Sequence, residues 1–100
     1  MTIKHIVSWR LNGASADEKA TQIAGIKERL LPLSAIIPEL HNLRISENVV
    51  FPEKNADVVL EAEFDSLQAL NVYLEHPDHV AAVDYIRSVV AERLAIDYEY

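Results

Sequence analysis

Cysteine is absent from this chain, which removes any disulfide framework and any thiol chemistry. Glycine occurs only twice, at isolated positions 13 and 25, so no glycine-rich loop is available to cradle phosphates. Basic residues are also scarce: nine lysines and arginines stand against sixteen carboxylates, a formal net charge of −7. An acidic chain without a clustered basic face repels phosphate backbones and anionic headgroups, so neither nucleic acid nor a membrane surface is an expected partner. No apolar run approaches the roughly 18 residues that a membrane span needs. The opening MTIKHIVSWR has no long apolar core and no small-residue cleavage site, so a soluble, cytoplasmic protein is expected. Ser8, Ser15 and Ser34 lack the strand-turn-helix context of a serine nucleophile.

What is present describes an ordinary globular protein. Half of the 100 residues are hydrophobic and a quarter are charged, enough for one domain, with no room for a second core. A chain of this size buries roughly two thirds of the surface its unfolded form exposes. It can fold alone, and dimerisation would help.

Residues 3 to 11 alternate with period two, which predicts a strand with Ile3, His5, Val7, Trp9 and Leu11 on one face. Asn12-Gly13-Ala14 reads as a turn, and Ser15 with Glu18 as the capping box of a helix burying Ile23, Ile26, Leu30 and Ala20. Pro32 should end or bend that helix near Leu31; the pattern leaves open whether 33–37 continues as a kinked turn. A second strand is predicted over 40–50, with a less clean phase around Leu43 and Ile45, followed by a polar connection over 51–55. Val58, Leu60, Ala62 and Phe64 alternate with Val59, Glu61 and Glu63 in a third strand. In the closing strand Leu94, Ile96, Tyr98 and Tyr100 alternate with Ala95, Asp97 and Glu99.

Between these last strands lies the segment EFDSLQALNVYLEHPDHVAAVDYIRSVV. Asp65 is placed as N-cap with Gln68 completing a capping box, and Leu67, Leu70 and Leu74 form the stripe of a short helix with Tyr73 beside it. Pro77 suits the first turn of a second helix, in which His79, Val83, Ile86 and Val90 share a face. The order is then β-α-β-β-α(α)-β, a ferredoxin-like α+β fold with a four-stranded antiparallel sheet and helices on one face. The other face would carry Lys4, Ile6, Ser8 and Arg10, with Val59, Glu61 and Glu63 from one neighbour and Asp97 and Glu99 from another. A second subunit could cover this amphipathic face, making a homodimer.

His5, Tyr73 and His79 are the candidate catalytic residues: three polar side chains on faces that are otherwise apolar. Imidazole titrates near neutral pH, so His79 can act as general acid and base next to a carbonyl. His5 and Tyr73 would donate hydrogen bonds to the developing oxyanion. A buried histidine satisfied by a backbone carbonyl or by Tyr73 is the plainer reading. His76 and His79 lie one turn apart, but Pro77 interrupts the helix between them and no third ligand is in reach, so no metal is expected. His76 is expected to cap the junction, and His41 to be exposed.

Lys4-His5-Ile6-Val7, Ile37-Pro38, and Phe64-Asp65-Ser66 leading to Tyr73…His76-Pro77-x-His79 resemble the stress-responsive A/B barrel (Dabb) family, as does Arg93-Leu94…Asp97-Tyr98. The resemblance covers essentially the whole chain. It implies a dimeric α+β barrel whose two sheets pack together, with a pocket between sheet and helices. A plant member of the family closes a linear polyketide by an intramolecular aldol step, and its essential polar residues fall on His5, Tyr73 and His79. Val7, Trp9, His76 and Val83 would line the pocket, with Trp9 making it shallower than in that cyclase. What the resemblance implies is a cofactor-independent lyase or cyclase acting on a small apolar carbonyl compound. The alternative is a non-catalytic stress-associated dimer binding a hydrophobic ligand, and it requires a filled core beside His79.

Overall fold

The alternation of Ile3 to Leu11 is realised as strand β1, in which every odd residue is buried and every even one is half-buried. The computed structural model describes residues 1–100. The remaining elements are α1 (Ala16–Leu30), α2 (Leu33–Ile36), β2 (His41–Glu47), β3 (Val58–Phe64), α3 (Leu67–Glu75), α4 (Pro77–Val89) and β4 (Val90–Glu99). All strand pairs are antiparallel and their order is β2-β3-β1-β4. This is the ferredoxin-like α+β fold expected from the pattern. The inner residues of β1 and β3 form one core with Ile23, Ile26, Leu30, Leu70, Tyr73 and Ile86 of the helices.

Local chemistry sets most boundaries. Ser15 Oγ accepts the Glu18 N–H at 3.1 Å, and the Glu18 carboxylate reaches back to the Ala14 N–H at 2.9 Å. Pro32 ends α1 and starts α2, a separate short helix. The unclean phase of β2 has a cause: its register against β3 shifts between His41 and Arg44, with Asn42 in the left-handed region at φ 51°. The strand stops at Glu47, short of Val50, because Asn48 and Asn55 tie the following turn to the Val50 carbonyl.

Several expectations are corrected. The N-cap of α3 is Ser66, whose hydroxyl accepts from the Ala69 N–H at 3.0 Å. Asp65 instead faces solvent and pairs with His41 at 3.5 Å. The buried face of α3 is Leu70 and Tyr73, while Leu67 and Leu74 of the expected leucine stripe are exposed. Ala20 is exposed as well. Val90 already belongs to β4, which follows α4 with no intervening loop.

The largest correction concerns β4. Its register pairs His5 with Asp97, Ile6 with Ile96 and Ser8 with Leu94. Directly paired residues share a sheet face, so Asp97 and Glu99 lie on the helix side. Leu94, Ile96, Tyr98 and Tyr100 lie on the open face, and Leu94 and Ile96 are 77% and 57% exposed. β4 is an edge strand, so its own burial pattern could not reveal its phase; pairing to β1 decides it.

Gly25 lies where α1 crosses α4. A Cβ built there would stand 2.2 Å from the Tyr85 hydroxyl, and Arg29 lies over the same Tyr85 ring at 3.6 Å. Helix propensity favours alanine over glycine by about 1 kcal/mol, whereas overpacking costs about 1–3 kcal/mol. Gly25→Ala is therefore expected to lower the melting temperature despite its better propensity, and calorimetry showing a rise would refute this packing account.

Candidate active site

Pro77 cannot donate a backbone hydrogen bond, and its ring forces His76 into extended backbone with ψ 133°. Helix α3 therefore ends and α4 begins at the same residue. His76 caps the new helix, its Nδ1 accepting the Asp78 N–H at 3.1 Å. In a continuous helix that N–H would serve the Leu74 carbonyl. The carbonyl is instead engaged by His79 Nδ1 at 3.1 Å. A carbonyl can only accept, so Nδ1 carries the proton and Nε2 keeps its lone pair. The proline break thus places the imidazole and selects its tautomer.

His79 packs on Tyr73 with ring centroids 4.3 Å apart, and Tyr73 meets the His5 ring at 6.1 Å. Tyr73 is 1% exposed and His5 is 5% exposed. The three residues therefore share one site. His5 Nδ1 is paired with the Asp97 carboxylate; the acceptor fixes the proton on Nδ1 and leaves Nε2 free. Asp97 is a site residue that sequence reasoning placed on the wrong face. No signal in the sequence marks it, since strand register alone sets His5 opposite Asp97.

These groups open into a cavity of about 650 Å³ between α4 and the inner face of β1 and β4. Eleven of its sixteen lining residues are hydrophobic, which makes it a largely apolar hollow with a few polar groups. His5, Val7, Trp9, Tyr73, His79 and Val83 line it. His76 does not: capping turns its ring away toward the Asp78 amide. Leu74, Asp84, Arg87 and Arg93 line it too, none of which was singled out as a lining residue from sequence. No group of three or more histidines or carboxylates is disposed to hold a metal ion.

Burial lowers the His79 pKa below its ordinary value of 6.5, aided by nearby His5 and His76 and only partly opposed by the bond to Leu74. His79 is thus neutral at pH 7 and able to take a proton. Burial pushes the Tyr73 phenol up, so it stays protonated as a donor.

A small α+β protein of ferredoxin-like fold, with a hollow between sheet and helices, is thereby defined. The chain belongs to the stress-responsive A/B barrel (Dabb) family, whose model matches residues 3–100. It is 30% identical over 98 residues to an uncharacterised protein of Streptomyces coelicolor, covering 98% of this chain and 99% of that one. A dimeric protein of unknown function and ferredoxin-like fold from Bacteroides fragilis is 30% identical, with 99% of this chain and 96% of that one covered at a TM-score of 0.87. Hydroxynitrile lyase from Passiflora edulis superposes at a TM-score of 0.81 over 97% of this chain and 91% of its own. Its identity is 16%, a likeness of fold alone. No helix is long and apolar enough to cross a membrane.

The depressed pKa of His79 carries a sign. The folded chain binds this proton less readily than the unfolded chain, so the stability involved is complete above pH 6.5 and is lost as pH falls through the folded value. NMR titration is expected to put the His79 midpoint below 6.5, and a midpoint at or above that value would contradict the burial.

Proposed function

We propose that this chain is a cofactor-independent lyase or cyclase acting on a small apolar carbonyl compound, with His79 as general acid and base. The observation that carries the reading is the unprotonated His79 Nε2 beside Tyr73 and His5 in a largely apolar cavity of about 650 Å³. The cavity departs from the filled core expected of the non-catalytic alternative, and proton exchange separates catalysis from ligand binding alone. His79 would abstract the proton next to the carbonyl, and the electron pair would move onto the carbonyl oxygen to give an enolate. The Tyr73 hydroxyl would donate a hydrogen bond to that oxygen, whereas His5, expected from sequence as a second donor, commits its Nδ1 proton to Asp97 and orients the site from the sheet. Return of the proton from His79 after bond formation or cleavage completes the cycle without a redox partner. A hydroxynitrile lyase shares the fold, which supports the scaffold's capacity for lyase chemistry.

The test is deuterium incorporation next to the carbonyl of a medium-chain ketone in heavy water, followed by NMR. Wild type is expected to accelerate exchange, and His79→Ala to reduce it by about 10²–10⁴, the usual worth of a positioned acid–base group. Tyr73→Phe should retain part of the rate. Exchange no faster than buffer, or undiminished in His79→Ala, would remove the proposal.

The reading includes a homodimer through the open sheet face, as relatives of this fold are dimeric. Ile6, Leu94, Ile96 and Tyr98 make that face apolar over β1 and β4, and the Lys4–Glu63 and Arg44–Glu61 pairs, at 3.4 and 3.7 Å, lie on its β3 side. Ile96→Lys should give a folded monomer by light scattering; an unchanged dimer would place the interface elsewhere.

A further inference from the structure

The chain has nine lysines and arginines, and most of them are already occupied. Lys4, Arg10, Lys19, Lys27 and Arg44 each pair with a carboxylate within 4.0 Å. Arg29 stacks on Tyr85 and donates to the Gly25 carbonyl. Three cations remain without such a partner: Lys54, in the turn between β2 and β3, and Arg87 and Arg93. Both of those arginines line the one cavity that holds His5, Tyr73 and His79. In a chain of net charge −7, carboxylates abound, yet none takes either guanidinium. Even Asp84, one turn before Arg87 and on the same wall, lies beyond ion-pair distance of both.

Their position in the fold gives the cavity a direction. Strand β1 and helix α4 run the same way: His79 lies with Tyr73 over the His5 end, and the Asn12 N–H bonds the Val89 carbonyl at 2.8 Å at the other. Arg93 is paired with Trp9, so it rises from the inner sheet face beside that indole. From His79 to Arg87 is eight helical residues, a rise of about 12 Å. From His5 to Trp9 is four strand residues, about 13 Å. The two independent paths agree. The cavity has an acid–base end and a cationic end about 12 Å apart, with Val7, Leu60, Val83 and Ile86 between.

We infer that the substrate carries an anionic group, a carboxylate or phosphate, held by Arg87 and Arg93 at the end of an apolar chain whose far end reaches His79. Guanidinium groups suit such oxyanions because their planar N–H donors match two oxygens at once. This specificity rests on the proposed reading of the site for its chemistry, but the binding it requires does not depend on turnover.

Trp9 is the only tryptophan and lines the cavity, so its fluorescence reports occupancy directly. Decanoate, decyl phosphate and methyl decanoate, each of a length near the span, serve as probes. An anionic probe is expected to bind at least tenfold more tightly than the ester, and the better of the two identifies the headgroup. Arg87→Gln/Arg93→Gln should weaken the anion at least tenfold and leave the ester unchanged, while Arg87→Lys/Arg93→Lys retains part of the preference. Ester binding as tight as the anions, anion binding indifferent to the double glutamine variant, or no binding by any probe overturns the inference. His79→Ala should still bind the anion. If it binds but wild type shows no proton exchange, the acid–base reading fails and the anion site stands.

Discussion

The candidate site depends on one backbone carbonyl that a proline leaves without its helical partner. Had α3 continued through residue 77, the Leu74 carbonyl would have taken the Asp78 N–H in the helical ladder. With the break, His76 takes that N–H, and the ring of His79 takes the carbonyl. A single hydrogen bond therefore fixes the position of His79, its tautomer and its stacking on Tyr73. The cost of interrupting a helix is offset by caps at both new ends, which is how a 9-residue and a 13-residue helix meet at one residue without a loop.

The rest of the architecture supplies the surroundings. β1 is a central strand and buries its odd-numbered face, so His5 is carried into the interior by the same alternation that carries Val7 and Trp9. β4 is an edge strand that the helices do not cover, and this incomplete cover leaves the hollow along Trp9, Val83 and Arg93. The open face of the same edge strand is rich in Leu94, Ile96 and Tyr98. One strand thus serves the cavity with one face and offers an apolar surface with the other.

Much of this was legible in advance, and the misses share a cause. Period-two alternation in β1 and β3 identified their inner residues because both strands are fully covered on one side. The same reasoning failed on β4, where polar Asp97 faces inward and apolar Ile96 outward, because an uncovered strand sorts its residues by partner and not by burial. It failed by one residue at the start of α3, where Asp65 and Ser66 are equally good caps and only backbone geometry separates them. His5, Tyr73 and His79 could be singled out as polar residues on apolar faces. Asp97, Arg87 and Arg93 could not, since a charged residue in sequence looks the same whether it faces solvent or a cavity mouth.

From the amino-acid order alone come the elements, the inner face of the covered strands and the helix break at Pro77, all of which follow from neighbours within a few residues. Only the tertiary structure decided which residue of β4 meets His5, how much space remains under α4, and which ring nitrogen of His79 stays free. Those depend on strand register, on the approach of a helix to a sheet, and on a carbonyl five residues away in a different helix. None of these contacts leaves a periodic trace in the chain.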